Sequence, residues 1–130
     1  YLGLVFDRSS ECIMVVASTE GGMSVEEISQ EKPESIIRSK IEAAVGMQQF
    51  QAREIAFGLG IKPELISRTA EAIIGCYRAF SELDATMVEV NPLVISEQDQ
   101  ILALDCKMSF DNNALFRRNQ ISELREKTQE

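Results

Sequence analysis

The side chains best suited to chemistry lie in the last third of the chain, where Glu89 and Asn91 stand two residues apart and Asp105 follows fourteen residues later. On a β-strand, residues two apart point to the same face, so a strand at Thr86–Asn91 would project Glu89 and Asn91 together. Asp105 lies in the next expected strand, Ile101–Lys107, which a polar turn folds back alongside the first. Three oxygen-bearing side chains would then converge. Mg²⁺ requires such hard oxygen ligands, a few from protein and the rest from water and phosphate.

Spacing alone leaves a second interpretation open. Glu89 and Asn91 could be the solvated face of an amphipathic strand whose other face, with Val88 and Val90, lies in the core. Asp105, however, interrupts an otherwise apolar run, and a carboxylate is costly to bury there without a partner or a metal. The pattern therefore predicts either a solvated strand face or a metal site.

The elements that must position these residues follow from hydropathy patterning. Two apolar, β-rich runs joined by a short polar turn predict an antiparallel hairpin, and apolar residues at helical spacing predict the helices. The expected strands are Tyr1–Asp7, Glu11–Ser18, Ser35–Glu42, 86–95 and 101–107; the expected helical segments are Val25–Ser29, Gln48–Leu59 and Pro63–Leu83. Because no repeat or linker divides them, they predict a single α/β domain over residues 1–130.

Composition excludes several classes of function. The net charge of −8 argues against electrostatic binding to nucleic acid or to an anionic membrane. No apolar run approaches the roughly 20 residues that span a bilayer. The absence of histidine excludes a His-based zinc site or a Ser-His or Cys-His pair within this chain. The three cysteines are widely spaced in apolar segments, so we expect them to be reduced and buried.

Five segments in order also carry a family resemblance. They are STEGGM at Ser18–Met23, QAREIAFGLG at Gln51–Gly60, E-x-N-P-L-V at Glu89–Val94, L-D-x-K at Leu104–Lys107 and N-A-L-F-R at Asn113–Arg117. Together they resemble the β subunit of ADP- or GDP-forming succinate–CoA ligase, an ATP-grasp enzyme. The segments QQFQAREIAF at Gln48–Phe57 and KMSFDNNALFRR at Lys107–Arg118 are at least as similar to malate–CoA ligase.

The resemblance implies a fold and a set of roles. The chain would be the carboxy-terminal part of an ATP-grasp domain, a largely antiparallel sheet with packed helices, and a fragment inactive as a ligase by itself. Asn91 and Asp105 would hold Mg²⁺ against the phosphates of ATP/ADP or GTP/GDP. Glu89 would meet the phosphohistidine segment of an α subunit that also carries the CoA site. Lys107 would contact nucleotide phosphate or neutralise Asp105; a structural ion pair is the alternative.

Other interpretations stay open at this point. A malate–CoA ligase β subunit is the second candidate, and a non-catalytic subunit-assembly domain is a candidate from another class. Asn113 and Arg117 fit a structural cap and a surface contact better than chemistry. Gly21 and Gly22 favour a tight turn over a phosphate cradle, because no strand–loop–helix of P-loop type surrounds them. A bacterial cytoplasm is the expected compartment, ahead of a mitochondrial matrix.

Overall fold

A five-stranded antiparallel sheet is the centre of the molecule. The structure, a computed structural model, describes residues 1–111. The sheet has the strand order β3-β2-β1-β4-β7, and β5 and β6 form a separate two-stranded hairpin. The strands are β1 (Leu2–Asp7), β2 (Cys12–Ser18), β3 (Ile36–Glu42), β4 (Ala85–Val90), β5 (Leu93–Ile95), β6 (Ile101–Ala103) and β7 (Cys106–Phe110).

Within residues 1–111, three α-helices connect and cover the sheet: α1 (Val25–Glu31), α2 (Gln49–Gly58) and α3 (Ile66–Glu82). The hydroxyl of Ser24 accepts the Glu27 N–H at the start of α1, and Gln48 and Gln51 form a reciprocal capping box at the start of α2. Short 3₁₀ turns, Pro33–Ser35 and Pro63–Leu65, precede β3 and α3. Each begins with proline, which is tolerated at a first helical turn because its missing N–H would have no partner there.

The hydrophobic core lies between one face of the sheet and helices α2 and α3. Side chains alternate along each strand, so every second residue of the inner strands faces the helices. The core residues include Leu2, Leu4, Ile13, Val15, Ile41, Val88 and Val90 from the sheet, and Ala52, Ile55, Ala70, Ile73 and Phe80 from the helices. The residues that alternate with these along each strand project from the opposite face of the sheet, which we call the open face.

The expected hairpin and helices are confirmed, with small shifts of their ends. β1 pairs with β2 in antiparallel register, and β3 pairs with β2. The helical turn expected at Val25–Ser29 continues to Glu31, and the long helix has the buried face expected of its spacing. The buried face of α2 consists of Ala52, Ile55 and Ala56, whereas Phe50 in the same helix is 61% exposed.

The two carboxy-terminal strands differ from their predictions in one way that matters. The expected strand 86–95 divides into β4 and β5, and the expected strand 101–107 divides into β6 and β7, so that Asp105 lies between strands and not on one. β4 pairs with β7 in the large sheet, whereas β5 pairs with β6 in the hairpin. Pro92 has no N–H to donate to a ladder, and the ladder is interrupted beside it.

The cysteines were also expected to be buried, and that expectation is wrong. Cys12 and Cys76 are half-buried, and Cys106 is exposed. Cys106 begins β7, which forms one edge of the described sheet, so packing covers it on one side only. Within residues 1–111, no helix has both the length and the apolar character needed to cross a membrane.

We expect Ile73→Ala to lower the free energy of unfolding by about 2–5 kcal/mol, since it removes a buried side chain and leaves a cavity. Ile73 is 1% exposed in the core. Urea unfolding followed by circular dichroism measures the change. Ile95→Ala is the matched control, because Ile95 is 41% exposed and should cost less than about 1 kcal/mol. Equal losses in both variants would contradict this placement of the core.

Candidate functional site

Two of the expected site residues face each other on the open face of the sheet. Glu89 lies on β4, opposite Lys107 on β7 and opposite Gly3 on β1. The neighbours of Glu89, Val88 and Val90, are 2% and 1% exposed on the core face. Burial of these two valines therefore fixes the side on which Glu89 projects.

The interruption of the ladder beside Pro92 brings the other two residues alongside. The Asn91 N–H donates to the Asp105 carbonyl at 3.1 Å, and the Leu104 N–H donates to the Pro92 carbonyl at 3.1 Å. These two main-chain hydrogen bonds join the ends of β4 and β5 to the segment between β6 and β7. Asn91 and Asp105 are thus neighbours across the point where the chain passes from one sheet to the other.

Glu89, Asn91, Asp105 and Lys107 together line one small cavity of about 40 Å³. All four residues singled out from the sequence meet there, including Asp105, although it lies outside the strand expected for it. The cluster holds two carboxylates, one carboxamide and one ammonium. Among residues 1–111, Lys107 makes no ion pair, so the structural alternative for this lysine has no support there.

The Asn91 side chain is hydrogen-bonded to the loop that contains Gly21 and Gly22, which we call the glycine loop. The sequence did not predict this contact. Asn91 Oδ1 accepts the Gly22 N–H at 2.8 Å, and Asn91 Nδ2 donates to the Met23 carbonyl at 2.6 Å. Gly22 has φ +78°, a left-handed conformation that favours glycine, as a tight turn requires. The glycine pair was the one sequence signal for this loop, but nothing local indicated its partner.

Tyr1 is a second residue that the sequence did not indicate. Its hydroxyl donates to Glu89 Oε2 at 2.7 Å. Burial, then the hydrogen bond to Glu89, then the negative charges of Glu89 and Glu26 raise the pKa of this phenol. The Tyr1 hydroxyl therefore stays protonated and remains a donor to the carboxylate at neutral pH.

Cys106 adjoins Asp105 but does not have the properties of a metal ligand or a nucleophile. Burial and then the negative charge of Asp105 raise the pKa of its thiol. A thiol with a raised pKa stays protonated at neutral pH, whereas metal binding and nucleophilic attack require the thiolate. The oxygen and nitrogen groups of the cavity are therefore the chemically relevant ones.

The oxygen atoms of Asn91 and Asp105 suit a hard cation whose other ligands are water and phosphate. Among the described residues, no three His, Cys, Asp or Glu side chains are grouped to hold a metal. Asn91 Oδ1 uses one lone pair for Gly22 and has a second, and Asp105 adds a carboxylate. One carboxylate and one carboxamide fit Mg²⁺, which usually keeps several waters and binds through one or two protein groups and phosphates.

A larger cavity of about 460 Å³ adjoins this cluster, since Tyr1, Gly22 and Pro92 are part of its wall. Its wall includes core-facing and helical residues such as Leu2, Leu59 and Ile73, and none of the four cluster residues. The hydroxyl of Thr69, at that wall, has no hydrogen-bond partner within residues 1–111. We assign the candidate site to the smaller cavity because charged side chains meet there. Asn113 and Arg117 lie outside the described residues.

Comparison with known proteins agrees with the fold and with the resemblance noted in the sequence. Residues 1–95 match the ATP-grasp domain family. The chain belongs to this family, which confirms the expected fold class: an α/β fragment with a largely antiparallel sheet and packed helices.

The most informative relatives are subunits of CoA ligases. The whole chain is 55% identical to the probable malate–CoA ligase subunit beta of Mesorhizobium japonicum, covering 33% of that protein. It is 45% identical to the ADP-forming succinate–CoA ligase subunit beta of Bacillus subtilis and 42% identical to that of Rickettsia bellii, covering 100% of this chain and 34% of each relative. The chain thus spans about a third of the length of the curated relatives it matches.

We expect Asn91→Ala to release the glycine loop, because it removes both side-chain hydrogen bonds to Gly22 and Met23. Hydrogen exchange of the Gly22 amide measures this, and a lost hydrogen bond should speed it by roughly 3- to 10-fold. Asn91→Asp is the matched control: its carboxylate still accepts the Gly22 N–H but cannot donate to Met23. Gly22 should stay protected in that variant. Equal acceleration in both variants would argue against the Gly22–Asn91 bond.

Proposed function

We propose that this chain is the nucleotide- and Mg²⁺-binding part of the β subunit of an ATP-grasp acid–CoA ligase. The observation that carries the proposal is the convergence of Glu89, Asn91, Asp105 and Lys107 on one cavity of a family member. The complete enzyme would convert an acid, CoA and a nucleoside triphosphate into acyl-CoA, the diphosphate and phosphate. A bacterial cytoplasm is the compartment we propose.

Asn91 and Asp105 are the proposed Mg²⁺ ligands. When bound, the ion would neutralise charge on the nucleotide phosphates, which is the main requirement of phosphoryl transfer. Asp105 supplies the negative charge, and Asn91 supplies a carbonyl oxygen whose direction is set by its bonds to Gly22 and Met23. Support for these roles comes from the oxygen chemistry of the pair and from their adjacency.

Glu89 and Lys107 have the two remaining roles. Lys107, an ammonium without an ion-pair partner among the described residues, suits a phosphate oxygen at the same cavity. Glu89 suits the orientation of a phosphohistidine delivered by an α subunit, which would also hold the CoA site. The present chain has no histidine, so a phosphohistidine must come from outside it.

A titration with Mn²⁺, a paramagnetic substitute for Mg²⁺, tests the metal assignment in the ¹⁵N-labelled protein. We expect line broadening to concentrate at the amides of residues 89–91 and 105–107. ADP should strengthen it, because phosphate oxygens would complete a coordination shell to which the protein gives few ligands. Asp105→Asn should abolish the localised broadening, since it removes the charged ligand.

Asp99→Asn is the matched control for this titration. Asp99 lies in the turn between β5 and β6 with φ 59°, a conformation that asparagine also tolerates. Its replacement should leave the broadening pattern unchanged. Broadening that spreads over the acidic surface and ignores Asp105→Asn would exclude a preformed metal site. In the complete enzyme, Asp105→Asn should lower turnover roughly 10- to 100-fold; unchanged turnover would favour the subunit-assembly role.

The acid substrate is a dicarboxylate in this proposal, with succinate first. Malate is the second candidate, and the observation that favours it is the 55% identity to a probable malate–CoA ligase subunit against 45% for a succinate–CoA ligase subunit. The two acids differ by one hydroxyl group. Discrimination would therefore depend on whether the acid site has polar groups that bind this hydroxyl.

The complete two-subunit enzyme should discriminate between succinate and malate to a degree that depends on how its acid site treats the hydroxyl group. A site shaped for succinate would reject the added hydroxyl of malate by only about 100-fold, whereas a site that hydrogen-bonds the hydroxyl would reject succinate by about 10⁴-fold or more. We expect the first pattern in kcat/KM, with succinate preferred. A malate preference of about 10⁴-fold would instead establish the second candidate.

A further inference from the structure

The contact between Tyr1 and Glu89 has no part in the function described so far. The phenol oxygen lies 2.7 Å from Glu89 Oε2, and the two residues are 88 positions apart in the chain. A glutamate side chain has three rotatable torsions, so without such a contact it would sample several directions on an open sheet face. The hydrogen bond occupies Oε2 and leaves Oε1 for a ligand at the cavity.

Gly3 provides the space that lets the Tyr1 ring reach this position. Gly3 lies opposite Glu89 in the β1–β4 ladder. A Cβ atom at Gly3 would be 2.7 Å from the Tyr1 hydroxyl oxygen, 3.0 Å from Cε1 and 3.1 Å from Cζ. The ring therefore lies over the glycine, and any side chain there would displace it. Glycine is required here for space and not for an unusual backbone conformation.

The main chain holds Tyr1 at both of its polar groups. Its nitrogen donates to the Ser18 carbonyl at 3.0 Å, and its carbonyl accepts the Ser18 N–H at 3.0 Å. The ring thus extends from a fixed point at the start of β1, the central strand of the sheet. Because burial and nearby carboxylates raise the phenol pKa, the hydroxyl stays a donor at neutral pH.

We propose that Tyr1 is a positioning residue that holds the Glu89 carboxylate at the cavity, and that Gly3 is present to make this contact possible. Tyr1 lines the larger cavity but not the small one that Glu89 shares with Asn91, Asp105 and Lys107, so its effect on the small cavity passes through Glu89. The kinetic consequence rests on the proposed function, in which Glu89 meets the phosphohistidine. The structural consequence, an ordered Glu89 side chain, does not.

A double-mutant cycle in the complete two-subunit enzyme tests the kinetic consequence. Tyr1→Phe removes only the hydroxyl and should lower kcat roughly 10-fold while nucleotide KM changes less than about twofold, as expected for a lost bond to a charged group. In the Glu89→Gln background the same change should have almost no further effect. Gly3→Ala should reproduce the loss of Tyr1→Phe. Equal losses of kcat from Tyr1→Phe in both backgrounds would overturn the proposal.

Tyr77→Phe is the matched control, because it makes the same chemical change at a hydroxyl that lies beside Gly46 and away from Glu89. It should leave kcat unchanged. An equal loss in Tyr77→Phe and Tyr1→Phe would mean that removing a tyrosine hydroxyl acts through general stability, and this too would overturn the proposal.

The order of the Glu89 side chain provides a test that does not depend on activity. Its ¹³Cδ resonance can be assigned in the complete subunit by its disappearance in Glu89→Gln. We expect relaxation of an ordered carboxylate in the unmodified subunit and increased averaging in Tyr1→Phe but not in Tyr77→Phe. If the complete enzyme made no acyl-CoA, the proposed function would fail, and this measurement alone would decide the positioning role. Unchanged relaxation in Tyr1→Phe would overturn it.

Discussion

Burial of one face of the five-stranded sheet is the constraint on which the site depends. Leu2, Leu4, Val88 and Val90 pack against the helices with exposures of 2% or less. Because side chains alternate along a strand, a slip of one residue would bring these apolar groups to the open face and put Glu89 in the core. Such a slip would expose several apolar side chains and bury a carboxylate. Its cost in free energy is far larger than the contribution of any single polar contact. Hydrophobic packing thus sets the direction of the polar residues.

The second requirement is the exchange of pairing partners between the two carboxy-terminal strand pairs. In a continuous ladder, a residue on one strand faces only its cross-strand neighbours. Here β4 pairs with β7, whereas β5 pairs with β6. The chain passes from the large sheet to the hairpin at Asn91–Pro92 and returns at Leu104–Asp105. Main-chain hydrogen bonds persist through the crossing. The backbone of a residue at such a junction is therefore held in place by hydrogen bonds. Its side chain, however, need not point to alternate faces as it would in a regular strand.

Sequence patterning predicted the hairpin, the long helix and the face on which Glu89 lies, because alternation and helical spacing are local properties. It did not predict that the segment Ile101–Lys107 divides, because Asp105, the one interruption of its apolar run, was placed on the strand; the division lies opposite Pro92. The contacts of Glu89 with Tyr1 and of Asn91 with Gly22 join residues 88 and 69 positions apart. No local pattern encodes such pairs, although the glycines that permit them are visible.

The limited number of protein oxygens at the cavity has a thermodynamic consequence for the proposed function. A cation held by Asp105 and Asn91 alone would keep most of its water and gain only two protein ligands, so its affinity for the protein would be low. In the proposed function, nucleotide phosphates would supply the missing oxygens, and Lys107, which lines the same cavity, would offset part of their charge. Coupling between two ligands is reciprocal, so the factor by which nucleotide strengthens metal binding equals the factor by which metal strengthens nucleotide binding. With so few protein ligands, the proposed site would therefore prefer the metal–nucleotide complex to either component alone.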